Sequence, residues 1–440
     1  MTSNDSLTRM TTTADTSLPA SSAATAASGP GRLDAWTGAM VFLAFAAAYF
    51  CSALVRAITA TLSPVLTQDF SLHARDLGLL AGGYFLGFAA TQLPLGAWLD
   101  RHGPKRVILS FLSIAVLGCL AFSLATSFAW LLAARVLVGM GVSACLMAPL
   151  TGYRRWFEPG TVLRANSWML MTGSLGMLAS TLPVQWLMPV TGWRPLFWIL
   201  AAMIVLSMAA IAWVAPTWKL SHAAAPAPAG EAGYAPIWRS RYFRKMTPMA
   251  FFNYGGLVAV QTLWAGPWMV KVAGYTPLEA ATGLFYINAT MLVTFWSWSM
   301  VNPWLSRHGW SATRLITWGV PFSIAVLAFN IAAGTSTGWL GWALFCMSCS
   351  TMGLAQPAVG MAFKPALAGR ALSAYNLMIF AGVFVVQWGI GLLIDVFAAL
   401  GLGAVASFQA AMAVLLCCCI ASYGYFLSVR ADNSVEPENP

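Results

Sequence analysis

Trp98-Leu99-Asp100-Arg101-His102-Gly103 returns 206 positions later as Trp304-Leu305-Ser306-Arg307-His308-Gly309, with five of the six residues unchanged. Each copy closes a long apolar run, so the repeat marks the same place in two similar halves. A shorter echo, Val184-Gln185-Trp186 against Val386-Gln387-Trp388, has an offset of 202. It falls late in the fifth and eleventh apolar runs, which is the pair that a half-to-half match demands.

Outward from the repeat, apolar windows occupy 37–66, 77–97, 107–125, 130–152, 166–189 and 196–215, then 248–270, 280–300, 312–333, 339–362, 372–397 and 404–429. Crossing ~30 Å of hydrocarbon takes roughly 20 apolar residues in a helix. The windows therefore predict an all-α membrane protein with twelve transmembrane helices in two pseudo-symmetric six-helix bundles. The expected divisions are a disordered tail at 1–33, a first bundle at 34–215, a cytoplasmic linker at 216–245, a second bundle at 246–430 and a short tail at 431–440. Hydrophobic residues make up 59% of the 440 and charged residues only 8%, which excludes a water-soluble surface. Long unbroken apolar runs exclude a β-barrel. The first 33 residues have neither a basic start nor an apolar core and read as no signal peptide.

The charge of +10 lies in short clusters between apolar windows, a pattern of topology determinants that excludes nucleic acid as a partner. If the N-terminus is cytoplasmic, eighteen of the 23 Lys and Arg fall on that side and only Arg75, Arg194 and Lys271 on the other. Arg56 and Arg135 remain inside spans. The positive-inside rule then places both termini in the cytoplasm and the chain in the inner (plasma) membrane. The basic patch at Trp238 to Lys245 suits a linker on an anionic leaflet. All eight cysteines sit in apolar runs, and the C-x-x-C of Cys346 and Cys349 reads as helix packing. No cofactor is expected.

Gly96-Ala97-Trp98-Leu99-Asp100-Arg101-His102-Gly103-Pro104-Lys105-Arg106 resembles the G-x-L-A-D-R-x-G-R-K-x signature of the major facilitator superfamily, which lies between its spans two and three. The resemblance implies a gating motif in which Gly96, Asp100, Arg101, Gly103, Lys105 and Arg106 act together, with Asp100 opposite the N-terminal end of span eleven. In the second copy Ser306 replaces the aspartate and Asn302 the first glycine, which weakens that contact. Leu131, Arg135, Gly139 and Gly141 resemble a further motif of the superfamily, in span four. Gly192-Trp193-Arg194-Pro195-Leu196-Phe197 resembles its loop between spans five and six. Span five reads Gly173-Ser174-Leu175-Gly176 and on to Pro183, and departs from the pattern of proton-driven drug exporters.

An arginine in mid-span costs ~2.5 to 3.5 kcal/mol on insertion scales, so Arg56 and Arg135 are the leading substrate-binding candidates. No Asp, Glu or His lies well inside a span, since Asp76, Glu279 and Asp395 sit near helix ends. Unpaired guanidiniums attract anions, and each can hold a carboxylate or phosphate with two parallel hydrogen bonds. The bland alternatives are that Arg135 is a hub for helix carbonyls and that Arg56 snorkels to the interface. Asn253, Gln261 and Trp264 of span seven are spaced to share one helical face, and Gln356 of span ten joins them as a neutral polar candidate. The resemblance implies a cavity lined by spans one, four, seven and ten.

The expected function is a monomeric permease that moves a small solute, an organic anion, by alternating access, secondary active or facilitative. The partners are that solute, the lipid bilayer and, where substrate protonation drives transport, protons. A drug/proton antiporter of the same fold and a non-transporting sensor are the alternatives. An intramembrane enzyme is disfavoured, because neither H-E-x-x-H nor G-x-S-x-G occurs in a span.

Overall fold

The computed structural model describes residues 32–217 and 233–429, all helix and connecting turns, with no strand among them. The expected tails, apart from residues 32–33, and half of the expected linker, 218–232, lie outside the described residues. The N-terminal segment, 32–217, holds α1 Ala35–Phe70, α2 Ala74–Ala90, α3 Gln92–Ser123, α4 Phe128–Val142, α5 Ala144–Trp156, α6 Pro159–Ala179, α7 Leu182–Thr191 and α8 Trp193–Val214. The C-terminal segment, 233–429, holds α9 Ala235–Arg239, α10 Arg241–Pro248, α11 Gly255–Ala259, α12 Ala265–Lys271, α13 Pro277–Arg307, α14 Ala312–Ala333, α15 Trp339–Cys349, α16 Ala355–Met361, α17 Pro365–Ala399 and α18 Ala404–Ser428.

Eight helical runs among the described residues are long and apolar enough to cross a membrane: Ala35–Phe70, Gln92–Ser123, Phe128–Trp156, Trp193–Val214, Pro277–Arg307, Ala312–Ser336, Leu367–Ala399 and Ala404–Ser428. The apolar windows at 77–97, 166–189, 248–270 and 339–362 are instead interrupted. Prolines explain three of the breaks, because each removes a backbone donor and crowds the preceding turn. Pro94, Pro183 and Pro357 stand just beyond the interruptions at Thr91, Ser180-Thr181 and the 3₁₀ turn Ser350–Leu354. Hydroxyls at these breaks bond back to the preceding turn: Thr91 donates to the Phe88 carbonyl at 2.9 Å, Ser180 to that of Met177 at 2.6 Å and Thr181 to that of Leu178 at 2.6 Å. The fourth window is broken differently, by two π-helical stretches, Met249–Tyr254 and Val260–Trp264.

Caps fix the remaining ends. Asp34 accepts from the Thr37 amide at 3.1 Å to start α1, and Thr276 with Glu279 forms a capping box at the start of α13. The repeated hexapeptide ends alike in both copies, since Gly103 and Gly309 have φ of 78° and 77°, a conformation that favours glycine. At Gly103 the chain turns sharply inside α3.

Small residues set how closely the helices approach. A Cβ on Gly139 would collide with the Tyr84 carbonyl, one on Gly87 with that of Val136, and one on Gly141 with the backbone of Ala115. The glycines of the α4 motif thus let α2 and α3 pack directly on α4. Between the two segments, α2 runs along α17, α13 lies against α6 and α7, and α1 lies against Val260–Trp264 and α12.

Candidate functional site

Within the unbroken buried run from Cys51 to Ser63, only Arg56 keeps part of its side chain accessible. The accessible part does not include Nε, which is buried and has no hydrogen-bond partner among the described residues, and Tyr49 makes a side-chain hydrogen bond with Arg56. Tyr49, two turns earlier on the same face of α1, Tyr84 of α2 and Tyr254 of the first π-helical stretch all lie within electrostatic reach of it. Phenol groups from both segments therefore surround this cation.

Arg135 is arranged differently. It is 0% exposed, donates to the carbonyls of Val55 at 2.8 Å and Arg56 at 3.2 Å, and stands 5.2 Å from the centroid of the Tyr84 ring. Its side chain reaches from α4 to the backbone of α1. Its donors thus clamp the turn of α1 that presents Arg56, as the carbonyl-hub alternative requires. Tyr84 completes the brace, its hydroxyl lying 3.4 Å from the Ser52 carbonyl.

The neutral candidates do not share the face their spacing predicts. Asn253 donates to Ser422 of α18 at 2.8 Å, Gln261 to Asn288 of α13 at 3.0 Å, and Trp264 to the Gln387 carbonyl of α17 at 3.1 Å. The π-helical turns between them are the physical reason, since a wider turn shifts every later side chain around the axis. Gln356 donates to Asn376 of α17 at 2.7 Å. These four polar groups bond within the C-terminal segment and do not converge on Arg56. A groove of about 400 Å³ between α1 and α8 is lined by Met40, Leu43, Phe50, Met203 and Leu206, is apolar, and carries none of the candidates.

The residues of the expected gating motif gather around α17 and α8. A Cβ on Gly96 would lie 3.7 Å from the Ser373 hydroxyl, and Asp100 is within electrostatic reach of Arg370 in the second turn of α17. Asp100 therefore faces a side-chain cation near the start of that helix. Lys105 donates to the Ala215 carbonyl at 2.7 Å and so caps the C-terminus of α8. Arg101 and Arg106 are exposed. At the opposite end, Trp193 donates to Asp69 at 2.7 Å while Arg194 donates to the carbonyls of Ser123 and Ala125 at 2.9 and 2.8 Å. The Gly192 to Phe197 stretch, expected as a loop, is the start of α8 and ties that helix to α1 and to the end of α3. Cys346 and Cys349 are buried free thiols.

Sequence reading missed Tyr49 and Tyr84 as neighbours of Arg56. The seven-residue spacing of Tyr49 and Arg56 would have found the first, because residues two turns apart share a helical face. Nothing in the sequence places Tyr84 there.

Known proteins show the same architecture. A bacterial homologue of the human lysosomal transporter Spinster, solved in an inward-facing, unoccupied conformation, superposes with a TM-score of 0.74 at 18% identity, covering 91% of this chain and 98% of its own. The 4-hydroxybenzoate transporter PcaK of Pseudomonas aeruginosa is 26% identical over 162 residues, 37% of this chain and 36% of that protein. The niacin transporter NiaP of Acinetobacter baylyi is 29% identical over 152 residues, 33% of this chain and 34% of that protein. The chain thus spans about a third of the length of these two curated relatives. Fold and relatives alike are those of transporters, not enzymes. The profile of the Major Facilitator Superfamily matches residues 45–387, most of the chain, and the chain belongs to that family.

Proposed function

We propose that the chain is a carrier of small organic anions in which twelve spans, six in 34–215 and six in 246–430, rock about a site centred on Arg56. The observation that carries this reading is the setting of Arg56: partly accessible within a buried run, its Nε unpartnered, with tyrosines of both segments around it. A guanidinium held in low dielectric without a counter-ion binds a carboxylate strongly, because the anion supplies both charge and acceptors. Arg135 is the positioning residue that holds the Arg56 turn. An anion between Arg56 and Tyr254 touches both segments, so its binding energy differs between their relative positions, which is the requirement for coupling occupancy to rocking.

In this reading the basic loops and both termini face the cytoplasm and the protein works as a monomer in the inner membrane. The names of the two relatives support the anion class, since 4-hydroxybenzoate and niacin are both aromatic monocarboxylates. No Asp, Glu or His is among the groups acting on Arg56 in the described residues, so a proton that accompanies transport would travel on the substrate.

Thermal unfolding of the purified protein against 4-hydroxybenzoate, nicotinate, dicarboxylates, phosphate esters and cationic drugs tests this. Monocarboxylates are expected to stabilise it, by about 2.7 kcal/mol at a hundredfold excess over Kd, and to be taken up by reconstituted vesicles. Stabilisation by cations alone overturns the proposal in favour of an exporter. Binding without uptake makes the protein a sensor.

A further inference from the structure

The end of α2 far from the gating motif is capped by a residue more than three hundred positions away. Asp395, in the last turns of α17, accepts from the Ala74 amide at 3.2 Å and the Arg75 amide at 3.0 Å, one carboxylate oxygen to each. These are the first two N–H groups of α2, which have no acceptor within their own helix. A carboxylate there is favoured twice, by the hydrogen bonds and by the positive end of the helix dipole. The backbones also meet closely at this end. A Cβ on Gly391, one turn before Asp395, would collide with the Ala74 carbonyl, and one on Gly78 would crowd the Gln387 carbonyl that Trp264 also donates to.

We propose that Asp395 is a latch that holds this end of the α2–α17 seam closed, and that its release is a step in the rocking of the two segments. The inference rests on the alternating-access reading above. Asp100, in α3 beyond the C-terminal end of α2, lies towards Arg370 at the start of α17, and Asp395 near the end of α17 lies on the start of α2. Among the described residues Asp395 bonds the opposing backbone directly, whereas Asp100 meets a side-chain cation. Both partners of the latch regain water when the seam parts, so the hold is strong enough to bias the equilibrium and weak enough to be reversed.

Hydrogen exchange of the intact protein in nanodiscs reads this without labels or substrate. Asp395→Asn keeps an acceptor and removes the charge. It is expected to speed exchange roughly three- to tenfold across 74–78 and also across 260–264, while 96–106 at the far end slows. Gly391→Ala, which pushes the backbones apart without touching the carboxylate, is expected to give the same reciprocal pattern. Faster exchange confined to 74–78 in both variants would make Asp395 a local helix cap and overturn the latch. An unchanged profile would overturn it as well. A reciprocal pattern in a protein that takes up no anion would leave the latch standing and remove the substrate reading.

Discussion

The two segments hold their interior polar groups in opposite ways. The N-terminal segment places two guanidiniums in mid-bundle with no carboxylate acting on them among the described residues, and the Arg56 side chain is partly accessible. The C-terminal segment has amides at its interior positions, and the candidates among them bond to other side chains, Gln261 to Asn288, Gln356 to Asn376 and Asn253 to Ser422, while Gln387 and Asn330 each keep one buried amide oxygen unpaired. A bonded amide pair already has its partners, so a ligand must break a hydrogen bond to gain one. Arg56 is bonded to Tyr49 but carries a charge that a neutral phenol does not compensate, so an anion that reaches it gains charge-assisted bonds that no amide offers. Recognition is therefore expected to be concentrated in the first segment, while the second supplies framework and a single phenol, Tyr254.

The sharpest way to break this comparison is Arg56→Gln. Charge-assisted hydrogen bonds contribute about 1.5 to 3 kcal/mol, so affinity for the stabilising anion is expected to fall by roughly ten- to a hundredfold in equilibrium binding, with membrane insertion unchanged. Unaltered affinity would remove Arg56 from the site.

Tyr254→Phe sharpens it from the other side. Loss of one neutral hydroxyl is worth about 0.5 to 1.5 kcal/mol, so a two- to tenfold rise in Kd is expected, smaller than that for Arg56→Gln in the same assay. An effect as large as that of Arg56→Gln would mean that the two segments share recognition equally.

How much of this was legible in the sequence depends on the range of the interaction. Charges inside apolar windows stand out in any one-dimensional reading, and Arg56 and Arg135 were visible for that reason. The hexapeptide repeat was legible too, and the positive φ shared by Gly103 and Gly309 gives it a conformational basis. The face shared by Asn253, Gln261 and Trp264 failed because periodicity assumes 3.6 residues per turn, whereas π-helical turns lie between those positions. The division of labour between the arginines, one locked on carbonyls and one beside phenols with Nε unpartnered, depends on which turn of α1 faces α4. Contacts such as Asp395 on α2 join residues 320 apart and leave no local trace.

The smallest expected effect on binding is that of Gln261→Leu. Gln261 donates to Asn288, whose own amide donates to the Leu284 carbonyl at 2.9 Å, so the substitution leaves the Asn288 acceptor buried and unpaired. An orphaned buried acceptor costs about 1 to 3 kcal/mol, which should appear as a lower Tm while Kd stays within twofold of the unmodified protein. Asn288→Leu added to Gln261→Leu removes both partners of the bond and should recover part of that loss, because an apolar pair of similar shape needs no hydrogen bond. If Gln261→Leu instead abolishes anion binding at unchanged Tm, the amide face of the C-terminal segment reads the substrate, and the asymmetry between the segments runs the other way.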